Sequence, residues 1–271
     1  MRTFFYSGSR DEIAVITRCT SSFFDRSFCD AAGGRRQLRW AHAVNCESRL
    51  RAALDDPTVD ALEADVCTLP SSDGERKPYI AHPPAVTADM TAKRFIDIVR
   101  QSQTRKIVKF DFKCDDAIAE VVDLLLLSGI AAVTPLVLNA DVISTSEESA
   151  PVSAETLLSH HALFDNVTIP PIVSLGWCPP SGGDARLSTL NISQMAALAR
   201  GRAATLAVRA DVALKSQRQL EGLLGDLPGC GLTLWAHPGD PVCPETLRRW
   251  VRSLGTRQVW VDVPQEMFPD S

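Results

Sequence analysis

The feature of this sequence that most constrains its fold is an alternation of short apolar runs with longer segments of helical periodicity. Eight runs have the length and composition of strands, and seven segments between them place apolar residues at helical spacing. The predicted strands are 38–44, 61–67, 106–113, 133–139, 169–175, 205–209, 232–235 and 258–263. The predicted helices are 47–54, 92–101, 117–127, 154–163, 193–200, 214–224 and 244–254. Capping residues predict helix starts near Asp115, Ser153, Asn191 and Cys243, and helix ends at Gly201, Gly225 and Gly255.

This alternation predicts an α/β fold in which eight parallel strands close into one barrel. Eight strand–helix units within about 230 residues suit a single (β/α)8 TIM-type barrel. A doubly wound sheet more commonly has a glycine-rich phosphate loop after its first strand, and neither GxGxxG nor GxxxxGK[ST] occurs here. We therefore expect a barrel domain over residues 37–271, preceded by an N-terminal arm over residues 1–36.

Composition argues against nucleic-acid binding driven by overall charge and against a membrane span. The formal net charge is −5, so no overall field attracts nucleic acid or an anionic membrane. No run approaches the ~20 apolar residues that a membrane span needs. The eight cysteines are scattered without a CxxC pair, which predicts reduced thiols in a soluble, intracellular protein. The arm contains many arginines but also four acidic residues, which leaves cytoplasmic and mitochondrial locations open.

Charged side chains lie at the ends of the second and third predicted strands, where the active sites of such barrels are found. Glu63 and Asp65 are two residues apart and share one strand face, and Lys109, Asp111 and Lys113 likewise share a face. A solvated strand face is the simpler interpretation, but the apolar neighbours of the acids indicate a strand covered by helices. Three adjacent carboxylates repel one another unless a cation offsets them, and oxygen ligands favour Mg²⁺ or Ca²⁺. We therefore predict Glu63, Asp65 and Asp111 as ligands of a divalent cation.

Two histidines follow apolar runs close to these acids. His42 ends the first predicted strand, and His82 lies in the loop after the second. Imidazoles have an unperturbed pKa near ~6.5, so the pair is predicted to act as general acid and general base. His160 and His161 lie in a predicted outer helix and are interpreted as structural, whereas His237, in a turn after the seventh strand, is a weaker alternative.

Further polar or aromatic residues at strand ends are predicted to bind substrate. We expect Lys113 and the residue at the end of the sixth strand, Arg209, to contact phosphate oxygens, although either could instead neutralise a carboxylate. Asp262, at the end of the last strand, is expected to line the same pocket. The complete predicted substrate-binding set is Asn45, Lys109, Lys113, Asn139, Asp141, Ser174, Trp177, Arg209 and Trp235.

The order His42, Glu63-x-Asp65, His82, Asp111-x-Lys113 resembles the active-site arrangement of glycerophosphodiester phosphodiesterases and, more closely, of sphingomyelinase D. The chain as a whole more specifically resembles the menorin family. That resemblance covers the chain from about residue 38 onward and rests on eight segments in the family's order. They are WAHAVN (40–45), ALEADV (61–66), AHPP (81–84), KFDFK (109–113), LNAD (138–141), SLGW (174–177), VRA (208–210) and LTLW (232–235).

The resemblance implies a phospholipase-C-like barrel and, through the more distant phosphodiesterases, a metal-dependent phosphodiesterase that uses His42 and His82. The reaction would be hydrolysis or transfer to a cyclic phosphate, on a lysophospholipid, a glycerophosphodiester or an RNA end. Ala43-Val44 replaces the Arg-Gly that follows the first histidine in glycerophosphodiesterases, and Asp111 replaces their glutamate. With Lys113, Asp111 fits the sphingomyelinase D pattern better, and Asn45 is expected to replace the missing arginine in part.

Two other functions remain open at this point. A catalytically silent barrel could keep the same polar mouth to bind a ligand or a protein partner, because a fold alone does not establish activity. A metal-dependent amidohydrolase is disfavoured, because such enzymes commonly need a His-x-His pair on the first strand, where this chain has His42 alone.

Overall fold

A computed structural model describes residues 38–145, 149–178, 185–255 and 259–264. The strands are β1 (Trp40–Ala41), β2 (Ala61–Pro70), β3 (Arg76–Ile80), β4 (Ile107–Phe112), β5 (Leu136–Ile143), β6 (Ile172–Trp177), β7 (Ala204–Arg209), β8 (Cys230–Trp235) and β9 (Val259–Asp262). The helices are α1 (Glu47–Asp55), α2 (Ala92–Ser102), α3 (Ile118–Ser128), α4 (Ala154–His161), α5 (Thr189–Ala199), α6 (Ala210–Lys215), α7 (Gln217–Asp226) and α8 (Pro244–Ser253). The predicted arm, 1–36, lies outside the described residues.

Eight of these strands run parallel and are hydrogen-bonded in the order β1-β2-β4-β5-β6-β7-β8-β9. Helices between them cover the outside of the sheet, and the first and last strands approach each other where His42 contacts Asp262. The result is a nearly closed barrel, which confirms the predicted α/β barrel. Parallel register places Asp65 beside Asp111, and Asp111 beside Asn139, on neighbouring strands.

Along most of the strands, side chains alternate between the barrel interior and its outer surface. The inward-facing residues at the N-terminal end of the strands form an apolar floor: Leu38, Ala61, Ile107, Val137, Ile172 and Trp260. The outward-facing residues of β2 are Leu62, Ala64 and Val66, which belong to the large core between the sheet and the helices. Apolar residues thus occupy the floor and the outer face of the sheet. The charged residues of the same strands lie inside the barrel, toward its C-terminal mouth.

One strand was not predicted from sequence. β3 pairs antiparallel with β2, with Cys67 opposite Tyr79, and forms a hairpin above the barrel strands. Its turn contains Gly74 at φ 84°, a conformation that glycine adopts without steric cost. A hydrophobicity pattern does not reveal β3, because the strand is short and begins Arg-Lys-Pro. The hairpin matters for the site because the loop after β3 contains His82.

Helix boundaries agree with the capping predictions at several ends. Ser153 caps α4, Cys243 precedes α8, and Gly201 and Gly255 follow helices in the left-handed conformation. Asp115 begins a short 3-10 helix, Asp115–Ala117, immediately before α3.

Two predicted helix limits are wrong. Asn191 is not a helix start, because Ser188 caps α5 and Asn191 completes the capping box from within the first turn. The predicted helix 214–224 is two helices, α6 and α7, separated at the buried Ser216, whose hydroxyl accepts a hydrogen bond from the Leu187 N–H. Gly225 lies inside α7 and does not end it.

In the described part of the chain, the longest helices have 11 residues, which is shorter than a bilayer crossing requires. The six cysteines among the described residues are free thiols, as the sequence predicts: Cys46, Cys67, Cys114, Cys178, Cys230 and Cys243.

Candidate functional site

Three carboxylates meet at the mouth of the barrel. Glu63 and Asp65 on β2 and Asp111 on β4 each offer an oxygen, and these atoms all lie within 4.8 Å of one another. Glu63 is 1% exposed and Asp65 is 5% exposed, so water screens neither charge well. These three residues are the predicted metal ligands, and the structure brings them together in a group that could hold a divalent cation.

The charge balance around this group fits such a cation. With every group ionised, five carboxylates in the described part of the chain interact here with three positively charged side chains, which leaves an excess of two negative charges. The carboxylates belong to Glu63, Asp65, Asp111, Asp141 and Asp262. The positive charges belong to Lys109, Lys113 and protonated His42. A divalent cation would neutralise this excess.

Two buried oxygen atoms at the site support the same fit. Glu63 Oε1 and Asn139 Oδ1 have no hydrogen-bond donor within the described residues. A buried oxygen acceptor without a partner costs about 1–3 kcal/mol, and hard cations take oxygen ligands of this kind. Burial and the neighbouring Asp65 charge also raise the pKa of Glu63 to about 7, although the His42 and Lys109 charges lower it, and a bound cation would lower it further.

Lys113 and Asn139 hold Asp111 in place. The Lys113 Nζ lies 2.9 Å from Asp111 Oδ2 and 3.1 Å from Asp65 Oδ1, and thus joins the two strands. Asn139 donates from Nδ2 to Asp111 Oδ1 at 2.7 Å. Burial alone would raise the pKa of Asp111, but the two lysines and these hydrogen bonds lower it. Lys113 therefore neutralises carboxylates, which is one of the two roles that the sequence left open for it.

Asn45 clamps Asp65 by both ends of its amide. Its Nδ2 donates to Asp65 Oδ2 at 2.7 Å, and its Oδ1 accepts from the Asp65 N–H at 3.0 Å. Both polar groups of Asn45 are thus engaged by the protein. The structure places Asn45 behind a carboxylate of the metal group, where it fixes that side chain.

His42 is held by carboxylates on two strands. Its Nδ1 lies 3.2 Å from Asp262 Oδ2 and 3.4 Å from Glu63 Oε2, and the ring is 40% exposed at the mouth. Burial alone would lower the pKa of His42, but the hydrogen bond and the charges of Asp262 and Glu63 raise it to about 9. The next residue, Ala43, has φ 52° and donates its N–H to Glu63 Oε2 at 2.8 Å. Left-handed backbone at a non-glycine residue is typical of functional sites.

His82 is exposed at the same mouth and is anchored through its main chain. The N–H of the preceding Ala81 donates to the Asp65 carbonyl at 3.0 Å. The ring donates from Nδ1 to the carbonyl of Pro83, so Nε2 is the nitrogen left to accept a proton. The two predicted catalytic histidines thus approach the acids from different elements, β1 and the loop after β3.

Lys109 lies deeper than the predicted substrate-binding role requires. Its side chain is 3% exposed, with Nζ 3.2 Å from Asp262 Oδ2 and 5.2 Å from the centre of the Trp40 ring. Burial alone would lower the pKa of Lys109, but Asp262 and Glu63 raise it. The structure corrects this prediction, because Lys109 is a buried counter-ion that joins the carboxylates from below.

Asp141 approaches the acidic group from β5. Burial and the Asp111 charge raise the pKa of Asp141 to about 7. Its carboxylate occupies the space over Gly176 of β6, where an added Cβ would lie 2.0 Å from Asp141 Oδ1. Glycine at this inward position therefore makes the approach of Asp141 possible.

The remaining predicted substrate-binding residues divide by position. Ser174 points inward but is buried in a chain of hydroxyl groups with Thr205 and Thr233. Trp177 is 2% exposed in the outer core, so the prediction that it lines the pocket is wrong. The reason is strand parity, because Gly176 faces inward and the next residue must face the helices.

Arg209 and Trp235 are closer to the mouth. Arg209 makes two ion-pair contacts with the buried Asp211 carboxylate, which holds its guanidinium at the end of β7. Trp235, at the end of β8, is half-buried and packs against His237 with ring centres 5.2 Å apart. His237 in turn packs against His42, with ring centres 6.2 Å apart.

Sequence reasoning gave no specific role to two residues that the structure places at the site. Asp262 was expected only to line the pocket, yet it contacts both His42 and Lys109. His237 was a weaker alternative, yet its ring lies against that of His42. The sequence signal that could have identified His237 is that it shares the parity of Trp235 at the end of β8. Trp235 lies opposite Asp262 in the parallel register.

Two solved structures are similar to this chain at low sequence identity. A mandelate racemase/muconate lactonizing protein from Herpetosiphon aurantiacus has a TM-score of 0.38 and 10% identity, over 63% of this chain and 50% of that one. A monomeric dihydrodipicolinate synthase variant has a TM-score of 0.41 and 13% identity, over 86% of this chain and 71% of that one. This chain thus spans half the length of the first protein.

A family model gives a match over most of the chain. The Menorin N-terminal domain matches residues 35–268. That span includes every barrel strand, His42, His82 and the three carboxylates at the mouth. The chain therefore belongs to the menorin family.

Proposed function

We propose that this protein is a metal-dependent phosphodiesterase that uses histidines for acid–base catalysis. The observation that carries the proposal is the gathering of Glu63, Asp65 and Asp111 within 4.8 Å, beside a histidine that two carboxylates hold. Oxygen ligands for a cation next to a poised imidazole suit attack at a charged phosphorus centre.

The metal ligands in this proposal are Glu63, Asp65 and Asp111, and the ion is Mg²⁺ or Ca²⁺. When bound, the ion supplies positive charge that stabilises the negative charge developing on a phosphate oxygen. Asn45 and Lys113 fix the orientation of Asp65 and Asp111. Asn139 does the same for Asp111, and its second amide atom, Oδ1, has no donor in the described part of the chain.

His42 is suited to the role of general acid. Its raised pKa, about 9, keeps the ring protonated at neutral pH. Nδ1 is held by Asp262, so the ring presents Nε2 to the leaving-group oxygen. Transfer of that proton neutralises the alkoxide as its bond to phosphorus breaks.

His82 is suited to the role of general base. Its Nε2 accepts the proton of the attacking hydroxyl as the new oxygen–phosphorus bond forms. Where the attacking group is water, the product is a phosphomonoester. Where it is a neighbouring hydroxyl of the substrate, as in glycerol or ribose, the product is a cyclic phosphate. In both cases one proton enters at His82 and one leaves from His42.

The proposed substrate is a phosphodiester, and the candidates that the resemblance implies are a lysophospholipid, a glycerophosphodiester and an RNA end. The apolar floor closes the barrel beneath the acids, so the diester must enter from the C-terminal mouth. The exposed His82 and the 20% exposed Lys113 lie on that side.

One observation favours a second candidate, a catalytically silent barrel that binds a ligand or partner. Lys113 already joins Asp65 and Asp111, so part of the negative charge is offset by the protein itself. A silent barrel would keep this ion-pair network without needing a cation.

Cleavage assays distinguish the two candidates. Wild-type protein, His42→Ala and the control His160→Ala are incubated with bis(p-nitrophenyl) phosphate, a lysophospholipid and short RNA, each with Mg²⁺, Ca²⁺, Mn²⁺ or EDTA. His160 lies on α4, where its ring bonds to the Thr156 carbonyl within the same helix. We expect metal-dependent cleavage by wild type and the control and a loss in His42→Ala. Inactivity of wild type on every diester with every ion would favour the silent barrel.

A further inference from the structure

His237 has no part in the two-histidine mechanism, yet it adjoins the ring that donates the proton. It follows β8 by two residues, with the parity of Thr233 and Trp235, whose side chains turn toward the barrel interior and mouth. Its ring nitrogens make no hydrogen bond with the described residues, and the side chain is exposed. What holds it in place is therefore its backbone and its aromatic neighbours.

The backbone at His237 is fixed by a hydrogen-bonded turn. The His237 carbonyl accepts from the Asp240 N–H at 3.1 Å, and the His237 N–H donates to Asp240 Oδ2 at 2.8 Å. Pro238 and Gly239 occupy the centre of this turn, and Gly239 has φ 92°, as a type II turn requires. The preceding Ala236 N–H donates to the Asp262 carbonyl at 3.2 Å. The turn is thus anchored to the strand that bears the carboxylate partner of His42.

Three rings form a row from this turn to the reaction centre. Trp235 and His237 meet edge-to-face at 5.2 Å and 75°, and His237 and His42 meet edge-to-face at 6.2 Å and 81°. These separations and angles are those of favourable aromatic pairs. Partial burial, reinforced by the nearby His42 charge, lowers the pKa of His237, which favours a neutral ring beside a protonated one.

A proton donor at His42 needs a neighbour that fixes the orientation of its ring. Its carboxylate partners contact only Nδ1, and the ring is 40% exposed, so these contacts do not fix the opposite edge of the ring, which bears Nε2. A proton donor must be held within a small distance and angle of the leaving-group oxygen to be effective.

We propose that His237 is a positioning residue that holds the exposed edge of the His42 ring, so that Nε2 of His42 faces the leaving-group oxygen. The role depends on the shape of the His237 ring and not on its nitrogens. The proposal rests on the proposed function for its catalytic consequence, while the contact itself can be measured without any substrate.

The kinetic test compares His237→Ala, His237→Phe and the control His160→Ala on the diester that wild type cleaves fastest. Loss of the ring is expected to lower kcat by about ten- to a hundredfold with KM unchanged, because the donor is displaced in the transition state. Phenylalanine, which keeps a flat ring without nitrogens, should recover most of that loss. Equal losses in both His237 variants, or a raised KM in both, would overturn the positioning role and indicate direct contact with substrate.

The structural test uses the small number of histidines in the chain, which is five. In protein labelled with ¹³C-histidine, we expect a nuclear Overhauser effect between ring protons of His42 and His237. We also expect the His42 ring signals to broaden or shift in His237→Ala and to return toward wild type in His237→Phe. Absence of the Overhauser effect would overturn the inference whether or not the protein cleaves diesters. Inactive wild type with the effect present would overturn the proposed function alone.

Discussion

At the scale of single residues, the contact of His42 with Asp262 joins the first and last strands of the barrel. One carboxylate oxygen, Asp262 Oδ2, lies 3.2 Å from both His42 Nδ1 and Lys109 Nζ. Burial alone would raise the pKa of Asp262, but the Lys109 and His42 charges lower it to about 2. A permanently charged carboxylate in this place explains how an exposed histidine can stay protonated at neutral pH.

The first prediction concerns the pH dependence of catalysis. Asp262→Asn removes the charge that raises the pKa of His42, so the fraction of protonated His42 should fall at a lower pH than in wild type. Activity that needs the proton on His42 is present below that pKa and is lost as pH rises through it. We expect the alkaline limb of the kcat/KM profile, measured with an alkyl diester such as a lysophospholipid, to lie at lower pH in the variant than in wild type. An unmoved limb would contradict the acid role of His42.

The second prediction concerns the buried ion pair between Lys109 and Asp262. Lys109→Met removes a buried cation and leaves Asp262 with one partner fewer, which should lower the free energy of unfolding by about 3–5 kcal/mol. The double variant Lys109→Met/Asp262→Asn, which removes both charges, should recover part of that loss. Urea denaturation measures both values. A Lys109→Met variant as stable as wild type would show that this pair does not matter to folding.

The sequence predicted which polar residues lie at the ends of strands, but it did not predict how deeply each of those side chains is buried in the barrel. Position at the strand ends and parity within each strand identified Glu63, Asp65 and Asp111, which the structure brings together. Parity also explains the error at Trp177, one residue past an inward glycine. Depth could not be predicted, because the level of Lys109 and Ser174 depends on how the strands are staggered around the barrel.

At the scale of elements, the packing of β5 against β6 depends on the absence of a side chain at position 176, which is glycine. Asp141 of β5 pairs in register with Gly176 of β6, and its carboxylate fills the space that a Cβ would take. A second contact there is main chain, with the Ala140 carbonyl 3.2 Å from an added Cβ. The two strands can therefore bring a fourth carboxylate to the mouth only while position 176 is glycine.

The third prediction follows from this contact. Gly176→Ala should displace the Asp141 carboxylate and lower the free energy of unfolding by about 1–3 kcal/mol, the cost of overpacking. Gly222→Ala is the matched control, because an added Cβ on that α7 residue meets nothing within 4 Å and alanine favours helix. The double variant Gly176→Ala/Asp141→Ala should regain stability, since only the Ala140 contact remains. A Gly176→Ala protein that unfolds like Gly222→Ala would contradict this account.

The elements themselves were predicted where periodicity was strong. Helices such as α2 and α8 have clear apolar faces and appear within two residues of the predicted limits. The β3 hairpin and the break between α6 and α7 were missed for a different reason. They depend on tertiary partners, β2 in one case and the Leu187 N–H bonded to Ser216 in the other, that no local pattern contains.

At the scale of the whole molecule, the barrel separates an apolar floor from an acidic mouth. Eight alternating strand and helix segments were enough to predict this fold, because few architectures accommodate that repeat in one domain. The particular contacts that close the barrel could not be predicted, since they join residues far apart in the sequence, such as Trp40 with Trp260 at 5.9 Å and His42 with Asp262.

The fourth prediction concerns stability and pH. The pKa values of Glu63 and Asp141 are raised to about 7 and that of His42 to about 9, so these three groups bind more protons in the folded protein than in the unfolded chain between pH 5 and these values. Stability contributed by these groups therefore falls as pH rises. In EDTA we expect the Tm at pH 8 to lie below that at pH 5, and Mg²⁺ to raise it more at pH 8.

Differential scanning fluorimetry of wild type and Glu63→Gln checks this prediction. The amide cannot titrate, so the Tm difference between the two pH values in EDTA should be smaller in the variant. The Mg²⁺ effect should also be smaller, because the variant lacks one of the three ligand carboxylates. Equal pH differences in the two proteins would mean that Glu63 keeps an ordinary pKa.

Metal-dependent cleavage is tested by the initial rate of bis(p-nitrophenyl) phosphate cleavage as Mg²⁺ or Ca²⁺ is added to metal-free protein. Wild type and Asp111→Asn are compared, since Asp111 is the ligand contributed by the neighbouring strand. We expect no cleavage in EDTA, a saturable rise with the ion in wild type, and little or no rise in Asp111→Asn. Wild-type protein that cleaves no diester with either ion, or a rate that persists in EDTA and in Asp111→Asn alike, would contradict the proposed function.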